Sequence, residues 1–284
     1  MSDNYGIRHD LAFADYRADD ITQADTIQTV AGKAVSKSMI TDFMADPGIW
    51  KKSSKKIATA AMKSGSLLDC LLTTPAAFSS QYIVAEYAEF RSTEAKFWKA
   101  SHEDMGKIVI KQSELDQSNA QLSAIMAHPE AAKLILGSRK QVAFRHKTAY
   151  PFDAKGLIDI VPDCGDVLVD LKKCKSSALE SKRALRRYIF EWGYHIQAGA
   201  YCQGWSEATS EEVFRFKFIF VGESAPFTVA VVELPLIAIL FGADLYNAGM
   251  KRFNECLELN KWPSLWDDTV TLDVPDYAYL GDGE

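Results

Sequence analysis

The stretch from Lys155 to Lys172 constrains the fold of this chain more than any other. Two apolar, β-branched runs flank Pro162, Asp163, Cys164, Gly165 and Asp166, the composition of a tight reversal between antiparallel strands. With pairing symmetric about Cys164 and Gly165, residues whose numbers sum to 329 lie opposite each other. Asp159 then faces Asp170, their Cβ atoms roughly 5 Å apart. Lys172 follows Asp170 by two and shares its face, while Ile158, Ile160, Val169 and Leu171 point the other way, into a core. Two carboxylates that close repel, and raise one another's pKa, unless a cation sits between them. Mg2+ suits such a place, because it takes one or two carboxylates together with waters and phosphate oxygens. A lysine beside it can position or deprotonate an attacking water, which completes the set needed for phosphodiester hydrolysis. The same spacing also occurs in plain surface hairpins with loose ion pairs, and spacing alone leaves both readings open.

The rest of the chain gives this hairpin a setting. Residues 1–35 lack steady periodicity and read as a loosely packed N-terminal arm, leaving 36–284 as the folded domain. Ser36 offers an N-cap to a helix through Met39, Ile40, Phe43 and Met44, ended by Pro47 and Gly48. Helical spacing returns at about 59–72, 92–104, 113–127 and 129–136. After Arg139 come three strand-like runs at 141–150, 154–161 and 166–172, then helices near 178–188 and 189–204. Strands at 213–221 and 227–234 and a helix over 235–259 follow. The order is that of an α+β domain with a mainly antiparallel central sheet flanked by helices. The longest apolar stretch, 227–243, is interrupted by Glu233 and Pro235, so no membrane span is expected. The first thirty residues are polar and acidic without an apolar signal core, and a cytoplasmic protein is the expectation. Five widely spaced cysteines argue against a disulfide framework and against an iron–sulfur cluster.

Several ordered motifs then carry a resemblance. They are Ser36-Lys37-Ser38-Met39-Ile40 through Asp46-Pro47; Gly65-Ser66-Leu67-Leu68-Asp69-Cys70-Leu71-Leu72 with Pro75 and Phe78; and Gly156-Leu157-Ile158-Asp159. Asp170-Leu171-Lys172, Tyr194-His195-Ile196-Gln197-Ala198-Gly199-Ala200-Tyr201 and Trp262-Pro263 complete the series. Over roughly residues 36–280 the sequence resembles the PD-(D/E)xK nuclease superfamily, in particular RecE (exonuclease VIII)-like exodeoxyribonucleases. The resemblance implies a PD-(D/E)xK nuclease-like core with Asp69, Asp159, Asp170 and the backbone carbonyl of Leu171 as metal ligands. Lys172 matches the catalytic lysine, and Gln197 and Tyr201 match residues supporting the active site. Asp69 stands where RecE-like sequences commonly carry His; a carboxylate still suits Mg2+ or Mn2+. His195 reads as structural.

With a net charge of −6, affinity for nucleic acid must come from local clusters. The basic run Lys172, Lys173, Lys175, Lys182, Arg183, Arg186 and Arg187 is the first candidate for holding DNA phosphates. Arg91 and Lys96 are a second, with Phe90, Phe97 and Trp98 nearby as stacking or core residues. The expected activity is a Mg2+-dependent 5′→3′ exodeoxyribonuclease, with Mn2+ as a substitute, acting on linear double-stranded DNA ends. It would leave 3′ single-stranded tails for a RecT-like annealing partner, and a homo-oligomeric ring is implied. The alternatives are another PD-(D/E)xK nuclease, single-strand or endonucleolytic, and a catalytically silent DNA-binding module of the same fold.

Overall fold

Short β-branched and aromatic runs bounded by Pro, Gly and Asp become strands, and the 3–4 periodic segments become helices. The computed structural model describes residues 5–9, 11, 13–53 and 60–273. In chain order the first half holds β1 (Gly6–Arg8), α1 (Phe13–Arg17), β2 (Ala34–Ser36), α2 (Lys37–Ala45), α3 (Pro47–Lys52) and α4 (Ala60–Thr73). It continues with α5 (Phe78–Gln81), β3 (Tyr82–Val84), α6 (Thr93–Asp104), β4 (Ile108–Ile110), α7 (Gln112–Ala127) and α8 (Pro129–Ile135). The second half holds β5 (Arg139–Lys147), β6 (Asp153–Val161), β7 (Leu168–Cys174), α9 (Lys182–Glu191), α10 (Tyr194–Thr209), β8 (Phe216–Gly222), β9 (Val229–Glu233) and α11 (Leu236–Leu259). Ser36 caps α2 as its sequence suggests, accepting the N–H of Met39 at 3.3 Å. No helix among the described residues is long and apolar enough to cross a membrane.

The main sheet runs β1-β5-β6-β7-β8-β9, with β2 added to β6. It is antiparallel except where β7 meets β8 and β2 meets β6. β5 covers one edge of β6 from end to end. The other edge is divided. Asp153, Ala154 and Lys155 pair with Ala34, Val35 and Ser36, whereas Ile160 pairs with Val169 of β7. Between these contacts, residues 156–159 have no ladder partner on that edge. The strand therefore forks, and the gap in its edge is where the polar site assembles.

Helices cover both faces. On one, Val142, Phe144, Phe216, Phe218 and Phe220 pack against Leu185, Ile189, Ala198 and Trp205 of α9 and α10. On the other, Ile160, Val169, Leu171 and Ile219 pack against Leu68 and Leu72 of α4, Ile125 of α7 and Leu134 of α8. Ile158, expected on this second face, joins Val142 and Phe144 instead. It lies next to the point where β5 turns through Gln141, whose φ is +49°. A third cluster joins α2, α3 and α11 through Phe43, Trp50 and Phe253. Each buried ring or aliphatic side chain contributes about 1.5–3 kcal/mol. Trp262 stacks on Trp50 at 5.6 Å, and the Gly48 N–H donates to the Pro263 carbonyl at 3.1 Å. The Asp46-Pro47 and Trp262-Pro263 motifs are thus two halves of one clasp. α10 and α11 touch backbone to backbone: a Cβ on Gly199 would lie 2.1 Å from the Ala243 nitrogen, and one on Gly242 would lie 1.9 Å from the His195 carbonyl.

The structure corrects the reading of residues 1–35 as a loosely packed arm. Ile21, Val30, Ala34 and Val35 are buried, and β1 and β2 are sheet strands. Three acidic residues of this stretch, Asp19, Asp20 and Asp25, are counterions. Asp20 lies 2.8 Å from the ammonium of buried Lys155 on β6, Asp19 pairs with both Lys155 and Arg145, and Asp25 holds Lys33 at 2.6 Å. A buried ammonium needs such partners. Parts of the expected arm, domain and second helix fall at 1–4, 10, 12, 54–59 and 274–284, outside the described residues.

Candidate active site

Ile160 opposite Val169 is the expected register, since those numbers sum to 329, and it sets Asp159 across from Asp170. No ladder pair forms there. The Leu171 N–H instead donates to Asp159 Oδ2 at 2.9 Å, so the side chain supplies the acceptor that a strand neighbour would. Asp170 is 3% exposed. Its Oδ1 accepts from Gln197 Nε2, and its Oδ2 makes an ion pair with the Lys172 ammonium. The same ammonium lies 5.2 Å from the centre of the Tyr194 ring. Gln197 and Tyr201 share a face of α10 but do different things. Gln197 fixes Asp170, while Tyr201 packs on Phe144 at 5.7 Å and its hydroxyl hydrogen-bonds to the backbone of Leu157. Tyr201 thus braces the unpaired stretch of β6. Burial first, then Tyr16, holds its hydroxyl well above the ordinary range, so it stays a neutral phenol.

α4 brings in Asp69 from the opposite helical layer, anchored by Leu68 and Leu72 on that layer's apolar side. Gln141, a residue the motifs did not flag, joins it to the hairpin. Its Nε2 lies 3.1 Å from each carboxylate oxygen of Asp69 and 3.4 Å from Asp159 Oδ1. Gln141 stands opposite Asp159, between the pairs Lys140–Ile160 and Val142–Ile158. A positive φ at a non-glycine strand residue costs of order 1–3 kcal/mol, and here the strained residue is the one holding two carboxylates together. Lys37, at the first position of α2, is the second addition. Burial, and then the neighbouring Lys172, lower its ammonium to about 8, while Asp170 and Asp42 oppose the change. The Ser36-Lys37-Ser38 motif held its signal, but its cap role masked it.

The electrostatics follow from crowding. Burial, then Asp170, pushes the Asp69 carboxyl up to about 6. Burial, then Asp170 and Asp69, raises Asp159 well above the carboxylate range. Burial alone would lower Lys172, but Asp170, Asp159 and Asp69 more than offset it and hold its ammonium above the usual value. Among the described residues no three His, Cys, Asp or Glu side chains already stand in ligand geometry. The carboxylates of Asp69, Asp159 and Asp170 surround an amide and an ammonium instead. Their chemistry nonetheless fits a hard divalent cation: all donors are oxygens, and Asp69 and Asp159 crowd at the cost of raised pKa values. Leu171 uses its N–H here, and its carbonyl is the group the resemblance assigns to the ion.

The basic run divides. Lys175, Arg183, Arg186 and Arg187 line an open cleft of about 760 Å³ together with Tyr188 and Phe190. Tyr188 contacts Tyr194 at 5.9 Å, which connects the cleft to Lys172. Lys173 points elsewhere and donates to Ser64 of α4, because alternation along β7 puts it on the face opposite Lys172. Arg91 pairs with Glu89 at 2.5 Å and is exposed. Lys96 is an exposed residue of α6, and neither Arg91 nor Lys96 lines the cleft.

Comparison with known proteins agrees with this architecture. The profile of the PDDEXK-like domain of unknown function (DUF3799) matches residues 33–268. No curated protein matches the chain. Among solved structures, a candidate exonuclease from Eubacterium rectale superposes with a TM-score of 0.59 at 15% identity, covering 88% of this chain and 93% of that one. A phage related exonuclease from Haemophilus somnus 129PT gives a TM-score of 0.36 at 14% identity, over 80% and 96% of the two chains. An alkaline exonuclease from Laribacter hongkongensis gives 0.30 at 13% identity, over 66% and 96%. The first of these shows a shared fold, and the other two score too low to carry an argument.

Proposed function

The chain belongs to the PDDEXK-like domain family DUF3799, and from that membership we propose that it is a divalent-metal-dependent deoxyribonuclease, working 5′→3′ from the ends of linear double-stranded DNA. The observation that carries the reading is the meeting of Asp159, Asp170 and Lys172 with Asp69 at the fork in β6. Four groups drawn from α4 and one hairpin, with Asp69 and Asp159 held above the carboxylate range, would have no reason to crowd in a plain surface hairpin. Mg2+, with Mn2+ as a substitute, held by Asp69, Asp159, Asp170 and the Leu171 carbonyl, would polarise the scissile phosphate.

The chain's own residues supply the rest. Gln197 keeps Asp170 oriented, and Lys172, protonated and half-buried beside it, places positive charge against the charge developing on the phosphate. Lys37, whose ammonium titrates near neutrality, adds a second cation or a proton acceptor on the α2 side. The cleft with Lys175, Arg183, Arg186 and Arg187 gives an otherwise acidic protein a local track for phosphates. As part of the same proposal, the enzyme acts in the cytoplasm as a homo-oligomeric ring and passes 3′ single-stranded tails to an annealing partner used in recombination.

The test is incubation with end-labelled linear duplex and with circular duplex, in Mg2+ and in EDTA. Nucleotide release from the linear substrate alone, in Mg2+ alone, is expected. Cutting of the circle would replace the exonuclease reading with an endonuclease, and inertness on both would leave a silent module of the fold.

A further inference from the structure

Around the corner where α9 meets α10, and on the adjoining first turns of α11, large apolar side chains are exposed among the described residues. Trp192 is 59% exposed, Phe241 51% and Phe190 42%. They are ordered rather than scattered. Phe190 stacks on His195 with ring centres 4.6 Å apart and planes 27° apart, and His195 stacks in turn on Phe241 at 5.7 Å and 8°. The outcome is a row of three near-parallel rings in which buried His195, 5% exposed, spaces two exposed phenylalanines. Phe190 also lines the basic cleft, so the row continues a surface that carries Arg183, Arg186 and Arg187, all exposed. Lys37 links the row to the site, since its charge acts on His195 and it lies close to Lys172 and Asp170.

Exposed flat rings interleaved with arginines match one ligand chemistry, a single nucleic-acid strand with unpaired bases. Bases stack on rings whatever their sequence, and guanidinium groups follow the phosphates. A duplex hides its base faces and could use only the arginines. We propose that Phe190 and Phe241, held in place by His195 between them and with Trp192 at the rim, form a stacking platform that binds a single DNA strand near the active site. This rests on the nuclease reading for its biological sense, but the binding is measurable without cleavage.

The test measures the affinity of labelled oligo-dT and of a matched duplex in Ca2+ buffer across a salt series. The proteins are the wild type, the Phe190→Ala/Phe241→Ala variant, and the matching pairs to Tyr and to Leu. Stacking predicts that the Ala pair weakens oligo-dT binding by about thirty-fold or more. Duplex affinity should fall far less, and the log–log salt slope for oligo-dT should stay at its wild-type value because no phosphate contact is lost. The Tyr pair should restore binding and the Leu pair should not, since Leu is apolar but not flat. Thermal melts confirm folding of each variant. Unchanged oligo-dT affinity in the Ala pair, or rescue by Leu, overturns the proposal. So does a wild-type oligomer that the Ala pair converts to monomers by light scattering, which would make the face a contact between copies. Stronger wild-type binding to phosphatidylserine vesicles than to oligo-dT, lost in the Ala pair, overturns it as well. If wild-type protein leaves duplex DNA intact in Mg2+ yet binds oligo-dT through these rings, the nuclease reading fails and the platform stands.

Discussion

Asp69→Asn should make the metal-free protein more stable while removing its response to metal. Asp69 is held at a pKa of about 6 against an ordinary 3.8. The fold therefore penalises its ionised form, and that penalty grows as pH rises from about 4 through 6. At about 1.4 kcal/mol per pH unit, the difference corresponds to ~3 kcal/mol at pH 8, or roughly 2–3 kcal/mol once the residue's partial exposure is allowed for. Asparagine keeps an oxygen that can accept from Gln141 and removes one of three crowded negative charges. In EDTA at pH 8 the variant should melt several degrees higher, about 2 °C for each kcal/mol at this chain length. At pH 3.5, where Asp69 is mostly protonated in the folded and the unfolded chain alike, the gap should nearly close. Titration with Mn2+ should raise the wild-type melting temperature and leave the variant almost unmoved. A variant no more stable than wild type at pH 8, or a gap of the same size at both pH values, would refute the crowding argument.

Three other outcomes follow from the site and its frame. Asp170→Ala and Lys172→Ala should each abolish Mg2+-dependent cleavage to a similar extent, and the double variant should lose little more, because the two groups act as a unit; turnover assays on linear duplex decide this. Changing Arg183, Arg186 and Arg187 together to Ala should weaken duplex binding and flatten its log–log salt slope by about one unit per lost phosphate contact. Melting temperature should barely change, since all three are exposed. Gly199→Ala should cost about 3 kcal/mol in chemical denaturation, because the added methyl would meet the backbone of Ala243 and Ile239, which cannot move aside as a side chain would.

The hairpin was legible because two constraints agreed: turn chemistry at Pro162–Asp166 fixed the centre of symmetry, and alternation then fixed which residues met. Asp159, Asp170 and Lys172 fell into place from numbers alone. The long helices were equally readable, with 113–127 expected and Gln112–Ala127 observed. Gln141 was not readable. Glutamine in a strand carries no local signal, and its value comes from a positive φ and from a helix 72 residues earlier in the chain. The N-terminal stretch was unreadable for a related reason: its Asp residues show their role only once buried Lys155 and half-buried Arg145 are known to lie beside them. β2 is three residues long, too short for periodicity to announce it. Lys173 shows the converse, since a basic run in sequence is split by strand alternation into two faces.

The forked edge of β6 has a consequence for how the protein is made. Ala34 is bridged to Asp20 nearby, but the strand partners of Ala34, Val35 and Ser36 are Asp153, Ala154 and Lys155, so 116 residues separate Ser36 from the first of them (153 − 36 − 1). At about 5–20 residues per second, the ribosome needs roughly 6–23 s to deliver the partner strand after β2 has been polymerised. During that interval Ile21, Val30 and Val35, all buried in the finished fold, hang from the nascent chain beside an unsatisfied strand edge. That is the surface a holdase chaperone takes. Slow decoding between residues 36 and 153 would lengthen the interval, and recoding that stretch for faster translation should raise the soluble yield of an unchanged amino-acid sequence.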